Sequence, residues 1–309
     1  MSQKAYSCAD SLPTQYLLQM KSSLIKLHIA VFLWGFTGVL GRLIDLNEGL
    51  LVWYRMLLTI VTLFVILWRQ DALRSLPKKT IWQLFGIGGI IALHWVFFYG
   101  AIKVANVSIT LICLSSSGLI TALIEPVIVG SKFSFREVAL SLLGIVGIYL
   151  IFHFDSKFQK GIIIGMIATF LGVAFSVLNK RMINNVPPKA IMLYELTGGW
   201  LLLTLLMPLY LKAFPPLYLF PTTMDWGWLV LLSWVCTVLA MDLSLQALRH
   251  MSVFTQNLTL NLEPVYGIIL AFIVFKENKN LNASFYIGFG LIAVSVAFQM
   301  IRVIKYKKH

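Results

Sequence analysis

Charge is scarce in this chain. Lys, Arg, Asp and Glu together make up 12% of its 309 residues, about half of the roughly 25% usual for a soluble domain. Acids are the scarcest, with 12 Asp and Glu against 25 Lys and Arg. Cysteine is nearly absent too. Cys8, Cys113 and Cys236 are odd in number and far apart, and two of them lie in apolar runs. That excludes a disulfide framework and a cysteine metal site. There is no HExxH, no GxSxG, no paired aspartate at metal spacing and no P-loop lysine motif, so the common hydrolase, metalloenzyme and nucleotide-driven pump signatures are missing. No cofactor is implied. No polar stretch is long enough to form a soluble domain, and no short apolar stretch with a small-residue cleavage site marks a removable leader.

Hydrophobic length is abundant. Apolar residues make up 59% of the chain, and the mean hydropathy is +0.85. A membrane crossing needs about 20 apolar residues, and runs of that kind occur at 24–44, 49–68, 81–101, 106–129, 137–154, 161–180, 189–211, 226–247, 252–275 and 282–303. The expected fold class is therefore an all-α polytopic membrane protein with ten transmembrane helices. Trp53, Trp68, Trp82, Trp226 and Trp228 fall near the ends of these runs, as interfacial aromatics do. With the N-terminus on the cytoplasmic side, the cytoplasmic segments carry seventeen Lys and Arg and the opposite side seven. This bias places both termini in the cytoplasm of a plasma (bacterial inner) membrane and explains the net charge of +13 without nucleic acid. The expected partners are the lipid bilayer and a small-molecule solute, with oligomeric state left open.

The chain repeats itself. Residues 101–152 align with 247–298 at a constant offset of 146, pairing Ala101 with Ala247, Lys103 with Arg249, Val107 with Val253, Gly144 with Gly290 and Phe152 with Phe298. An earlier pair, WYRML (53–57) and LYELT (193–197), fits an offset of 140. The expected layout is a segment 1–23, a first five-helix repeat 24–154, a second repeat 155–303 and a basic tail 304–309. Five is odd, so the two halves must be inverted relative to each other, an arrangement typical of secondary transporters.

Several short motifs carry a resemblance. They are LWGFTGVLGR (33–42), Arg55 in the second run, AIKVANVS (101–108), ALRHMSV (247–253) and NLEPVYGIILAFIVFKE (261–277), with Pro264 and Glu277 at its marked positions. Together they resemble the EamA-type transporters of the drug/metabolite transporter superfamily. The resemblance implies movement of small metabolites, often amino acids. Gly118 and Ser131 stand where the first repeat of that family carries Pro and Glu, and Glu125, Pro126 and Glu263 are not general family features.

Five residues of fixed charge fall inside the runs: Arg55, Glu125, Glu195, Asp242 and Glu263. Each is costly against lipid. At about 1.5 Å per residue, Glu263 lies near the midplane, at roughly 16 Å. Glu125 and Asp242 lie about 7 Å from the cytoplasmic end. Arg55 and its repeat mate Glu195 each lie about 9 Å from opposite surfaces, about 12 Å apart in height, too far for a direct pair. One reading makes the acids a path from the cytoplasm to Glu263 for a cationic or zwitterionic solute, or for protons in antiport. The other has Glu125 and Asp242 snorkelling, or pairing with Lys132 or Arg249. Arg55 reads equally as a structural cap or a solute contact.

Pro264 kinks run nine and Pro126 kinks run four, but eight residues out of register with each other. What does match in register is CLSSSG (113–118) over TLNLEP (259–264). Interrupted segments at corresponding positions point to a transport site. Small residues such as Ser116 and Ser117 also permit plain close packing. Asn257, Asn261, His94, Tyr99 and Gln246 complete the candidate lining, with Pro264 and Pro126 as hinges. His94, like His28 and Trp34, also reads as an ordinary satisfied core residue. The expected function is a secondary transporter working by alternating access, most consistent with export. The alternatives are an intramembrane enzyme or a channel of the same topology.

Overall fold

The computed structural model describes residues 14–70, 76–130, 133, 135–154, 156–260 and 262–306. Every element among these residues is helical. In chain order they are α1 (Thr14–Gly35), α2 (Thr37–Leu43), α3 (Glu48–Arg69), α4 (Lys78–Val104), α5 (Val107–Leu114), α6 (Ser117–Val129), α7 (Phe135–Phe154), α8 (Gln159–Met182), α9 (Pro188–Ala213), α10 (Thr223–Ser233), α11 (Ala240–Leu248), α12 (Val253–Leu260), α13 (Glu263–Phe275) and α14 (Ala283–Tyr306). A π-helical segment, Trp234–Leu239, joins α10 to α11. The helices start where the sequence supplies caps. Asn47 Oδ1 accepts from Leu50 N, Asn106 Oδ1 accepts from Ile109 N, and Thr222 and Asp225 form a capping box. Each satisfies an amide that the first turn leaves open.

Seven segments among the described residues are long and apolar enough to cross a membrane: Lys21–Leu43, Glu48–Arg69, Lys78–Val104, Val107–Val129, Ser156–Met182, Pro188–Ala213 and Thr223–Leu248. The sequence leads one to expect ten. The other three expected runs are helical but do not qualify. The ninth is divided into α12 and α13, and the apolar part of α14 is the shorter Ala283–Val294. Large apolar side chains cover the outside of the bundle: Phe32, Phe64, Leu205, Leu209 and Ile273 are exposed. In water such a surface would aggregate, and in lipid it is the expected one.

The repeat is visible in the helix boundaries themselves. α5 and α12, the breaks after them, and α6 and α13 all begin and end at positions 146 apart. Both second segments also stop on a left-handed residue, Gly130 (φ 80°) in one half and Lys276 (φ 53°) in the other. Glycine meets that backbone without cost, whereas a Cβ there costs about 1–2 kcal/mol. Lys276→Gly is therefore expected to stabilise the protein by about 1 kcal/mol, read as an upward shift of the thermal unfolding midpoint in detergent.

Corresponding helices of the two halves pack against each other in opposite directions. On α3 and α9, Glu48 accepts from the Tyr210 hydroxyl while Trp53 donates to Thr204 Oγ1. Leu111 of α5 packs on Gly267 of α13, and Asn257 of α12 donates to Thr121 of α6. On α7 and α14, Gly147 faces Ile292 and Ile151 faces Gly288. In each pair, rising numbers on one helix meet falling numbers on the other. The remaining contacts also come in mates: α4 packs on α8 as α1 packs on α11, and α4 packs on α9 as α10 packs on α3.

Candidate functional site

Four interruptions of regular helix border one space inside the bundle. They are Phe36 between α1 and α2, Ser115 and Ser116 between α5 and α6, Leu262 between α12 and α13, and the π-helical segment. Residues flanking all four line a single cavity of about 120 Å³: Trp34 and Thr37, Leu114 and Ser117, Leu260 and Glu263, Cys236 and Thr237. Side chains take up the carbonyls that the breaks release. The Trp34 indole donates to Cys236 O at 2.9 Å, Thr237 Oγ1 to Leu232 O at 2.8 Å, Thr37 Oγ1 to Trp34 O at 2.7 Å and Ser116 Oγ to Cys113 O at 2.7 Å. Irregular backbone at membrane depth is tolerated where it lines a cavity. A space of this size holds several waters or one small solute.

An arginine and a glutamate both line that space. Arg55 is 2% exposed. Its Nε donates to Thr237 Oγ1 at 2.9 Å, its Nη1 donates to the Tyr99 hydroxyl at 2.7 Å, and its guanidinium lies 3.8 Å over the Trp95 ring. These partners are hydroxyls and a ring face, so its positive charge is held in place without being neutralised. Glu263, 9% exposed, lies on the cavity wall at the start of α13. It interacts with Arg55 electrostatically, with no hydrogen bond between the two. The wall between them is apolar and aromatic, built from Trp34, Trp95, Phe98 and Phe175. Away from Arg55 the lining becomes polar and neutral: Ser176, Asn179, Ser244, Gln256 and Asn257.

Of the residues singled out by sequence, the cavity gathers Glu263, Asn257, Arg55, His94 and Ser117. His94 Nδ1 donates to Ala168 O at 2.7 Å and its ring stacks near Phe98. Tyr99 stands behind Arg55 as its hydrogen-bond partner, and Ser116 is turned toward Cys113 O and Met166. Asn261 lies outside the described residues. The acids expected to form an inner path do not line the cavity. Asp242 accepts from Gln246, which in turn accepts from Lys26 of α1. Glu125 is buried on α6 within electrostatic reach of Lys180. Glu195 is buried behind Asn179. Arg249 binds the carbonyls of Ile183 and Val186 rather than Asp242, and Lys132 lies outside the described residues. His28 bonds Leu24 O on the exposed face of α1. Pro264 sits in the first turn of α13, next to the break. Pro126 lies inside α6, which continues unbroken to Val129.

Sequence reasoning missed Thr237, Asn179 and Gln256. A π-helical turn leaves no periodic mark, and a single Thr, Asn or Gln in an apolar run carries no signal of which way it faces.

A family model for the EamA-like transporter family matches residues 21–153 and again 159–299. The chain belongs to the EamA-like transporter family. The two matches are the two repeats, and the family consists of transporters rather than enzymes. With its many apolar helices, this EamA-like protein is an integral, multi-pass membrane protein. No curated protein sequence matches the chain. A solved structure titled "Crystal structure of protein" shares the fold, with a TM-score of 0.66 and 18% identity, covering 90% of this chain and 96% of that one.

Proposed function

We propose that this EamA-like protein carries a small zwitterionic solute, such as an amino acid, by alternating access between two inverted five-helix halves that together cross the membrane ten times. The observation that carries the reading is the cavity at the meeting point of the four helix breaks, with Arg55 on one wall and Glu263 on the other. A carboxylate on the solute would sit toward Arg55 and an ammonium toward Glu263. The aromatic wall would take the apolar part. The antiparallel packing of corresponding helices supports inversion. Counter-flow in proteoliposomes loaded with a panel of amino acids tests this. Exchange accelerated by solute on the far side is expected of a carrier. Passive leak without exchange would indicate a channel and sink the reading.

The cavity is unequal at its two ends. Its polar lining reaches Asn179 and Gln256, close to the helix ends whose loops carry the Lys and Arg excess. Beyond Arg55 and Phe98 the bundle is closed by buried Ile44, Leu46, Leu51, Ile102 and Val107. A polar seal spans that closed end. Glu277 pairs with Arg42, and its oxygens accept from Val107 N (3.1 Å), Ser108 N (2.9 Å) and Ser108 Oγ (2.6 Å). The carboxylate thus caps α5 from the far side of the α13 turn, where the helix N-terminus favours negative charge. We read this as the inward-facing form with the outer gate shut, which suits export from the cytoplasm across a plasma membrane, with both termini inside. Glu277→Gln keeps the side-chain shape and removes the charge. In a Cys8→Ser, Cys113→Ser background, labelling of Cys236 by an impermeant thiol reagent from the outer face is expected to speed up roughly tenfold, as a shift of about 1.4 kcal/mol in the gate equilibrium would give. An unchanged rate would remove Glu277 from the gate.

A further inference from the structure

Glu195 is the repeat mate of Arg55 and is fully buried on α9. Its Oε2 accepts from Asn179 Nδ2 at 3.4 Å. That leaves Glu195 Oε1 and Asn179 Oδ1, and among the described residues neither has a hydrogen-bond partner. Both atoms are acceptors, so neither can satisfy the other. A carboxylic acid and a primary amide are complementary in another way. The amide N–H donates to the acid carbonyl, and the acid O–H donates to the amide carbonyl. One proton placed on Glu195 Oε1 is therefore the donor that both orphaned oxygens lack. Buried polar atoms in proteins are normally satisfied, and leaving two acceptors without a donor is costly.

The surroundings define where such a proton could come from. The backbone of α4 lies against Glu195 itself: a Cβ on Gly88 would stand 1.7 Å from Glu195 O. That side is closed. On the other side Asn179 lines the central cavity, as does Gln256, whose Oε1 also lacks a partner among the described residues. Several charged and titratable groups on the helices around α9 are engaged elsewhere, and Glu48 of α3 accepts from Tyr210 near the far end of α9. Arg55 of α3 is held by Thr237 and Tyr99, and His94 of α4 by Ala168 O. Lys103 of α4 binds Leu46 O. Asp242 of α11 is held by Gln246, and Lys180 of α8 by the carbonyls of Leu248 and Met251.

We propose that Glu195 and Asn179 form a proton-binding site that exchanges with the central cavity and couples solute movement to a proton gradient. This rests on the carrier reading of that cavity. In the step itself, a hydronium ion in the cavity gives its proton to the Glu195 carboxylate and leaves as water. The reverse step follows when the cavity faces the other side. Asn179 is the positioning residue, since its amide completes the two-bond ring around the proton.

Infrared difference spectroscopy on the purified full-length protein tests the site without needing any solute, so a failure to find a transported amino acid would leave it standing. The spectra are recorded between roughly pH 5 and pH 9, a range spanning the ordinary and the buried carboxyl values. A carboxylic C=O band is expected that grows as pH falls, is lost in Glu195→Gln, and moves to the frequency of a non-hydrogen-bonded acid in Asn179→Leu. A band removed separately by Glu263→Gln belongs to the acid that lines the cavity and is told apart from that of Glu195. No band lost in Glu195→Gln at any pH would overturn the proposal. So would a band that is lost but does not vary with pH, because a permanently neutral acid carries no proton across.

Discussion

Glu263→Gln should lower counter-flow exchange about 100-fold while leaving expression and monodispersity intact. The size follows from the burial of the charge. Glu263 is 9% exposed on the cavity wall, opposite an Arg55 whose own contacts are hydroxyls and an aromatic face. An ammonium group brought between them would lose water on entry and regain a charged partner only at Glu263. Removing one partner of such a buried, charge-assisted contact costs about 2–5 kcal/mol, and a factor of 100 corresponds to about 2.8 kcal/mol. Gln is close in shape, and α13 begins at this residue with Pro264 behind it, so the break itself should persist. Glu263→Asp retains the charge on a shorter arm and should retain part of the exchange. Wild-type exchange by a well-folded Glu263→Gln protein would remove this carboxylate from the solute site.

Much of this architecture is written in the sequence, and the exceptions have physical causes. The offset of 146 between 101–152 and 247–298 reappears in the helix boundaries of α5, α6, α12 and α13. It does so because the same alternation of small or polar residues with long apolar runs breaks both helices at the same height. Glu263 stands out in the sequence because a carboxylate inside an apolar run is rare. The direction in which a side chain points is less legible. Glu125, Glu195, Asp242 and Glu263 look alike in an apolar run, yet only Glu263 lines the cavity. The other three are sorted by neighbours hundreds of positions away or one helix over, such as Lys26 reaching Gln246 beside Asp242. The π-helical turn at Trp234–Leu239, which aims Thr237 at Arg55, has no signature in residue type. Pro126 is a different case. A proline suggests a hinge, but in this helix the break comes earlier, at Ser115 and Ser116.

The largest effect on stability is expected from one methyl group, in Gly88→Ala. The interface between α4 and α9 is built from backbone laid on backbone. A Cβ at Gly88 would lie 1.7 Å from Glu195 O, 2.6 Å from its carbonyl carbon and 2.9 Å from its Cα. A Cβ at Gly199 would lie 2.4 Å from Gly88 O, and one at Gly198 would lie 2.4 Å from Phe85 Cα. None of these is the tip of a flexible side chain that can rotate away. The helices would have to separate by more than 1 Å to restore ordinary contact near 3.5 Å. Within lipid, packing of this kind is the main force between helices. A loss of about 3 kcal/mol is expected, read as a marked fall of the unfolding midpoint in detergent. Gly86→Ala is the control two residues away, on the exposed face of α4 with nothing within 4 Å. It should leave the midpoint unchanged or raise it, since alanine is the better helix former by about 1 kcal/mol. Equal midpoints for the two variants would refute the close approach of α4 to α9. The displaced backbone in Gly88→Ala belongs to Glu195 itself. In whatever protein still folds, the infrared band assigned to its acid should therefore broaden or vanish, while Gly86→Ala leaves it in place.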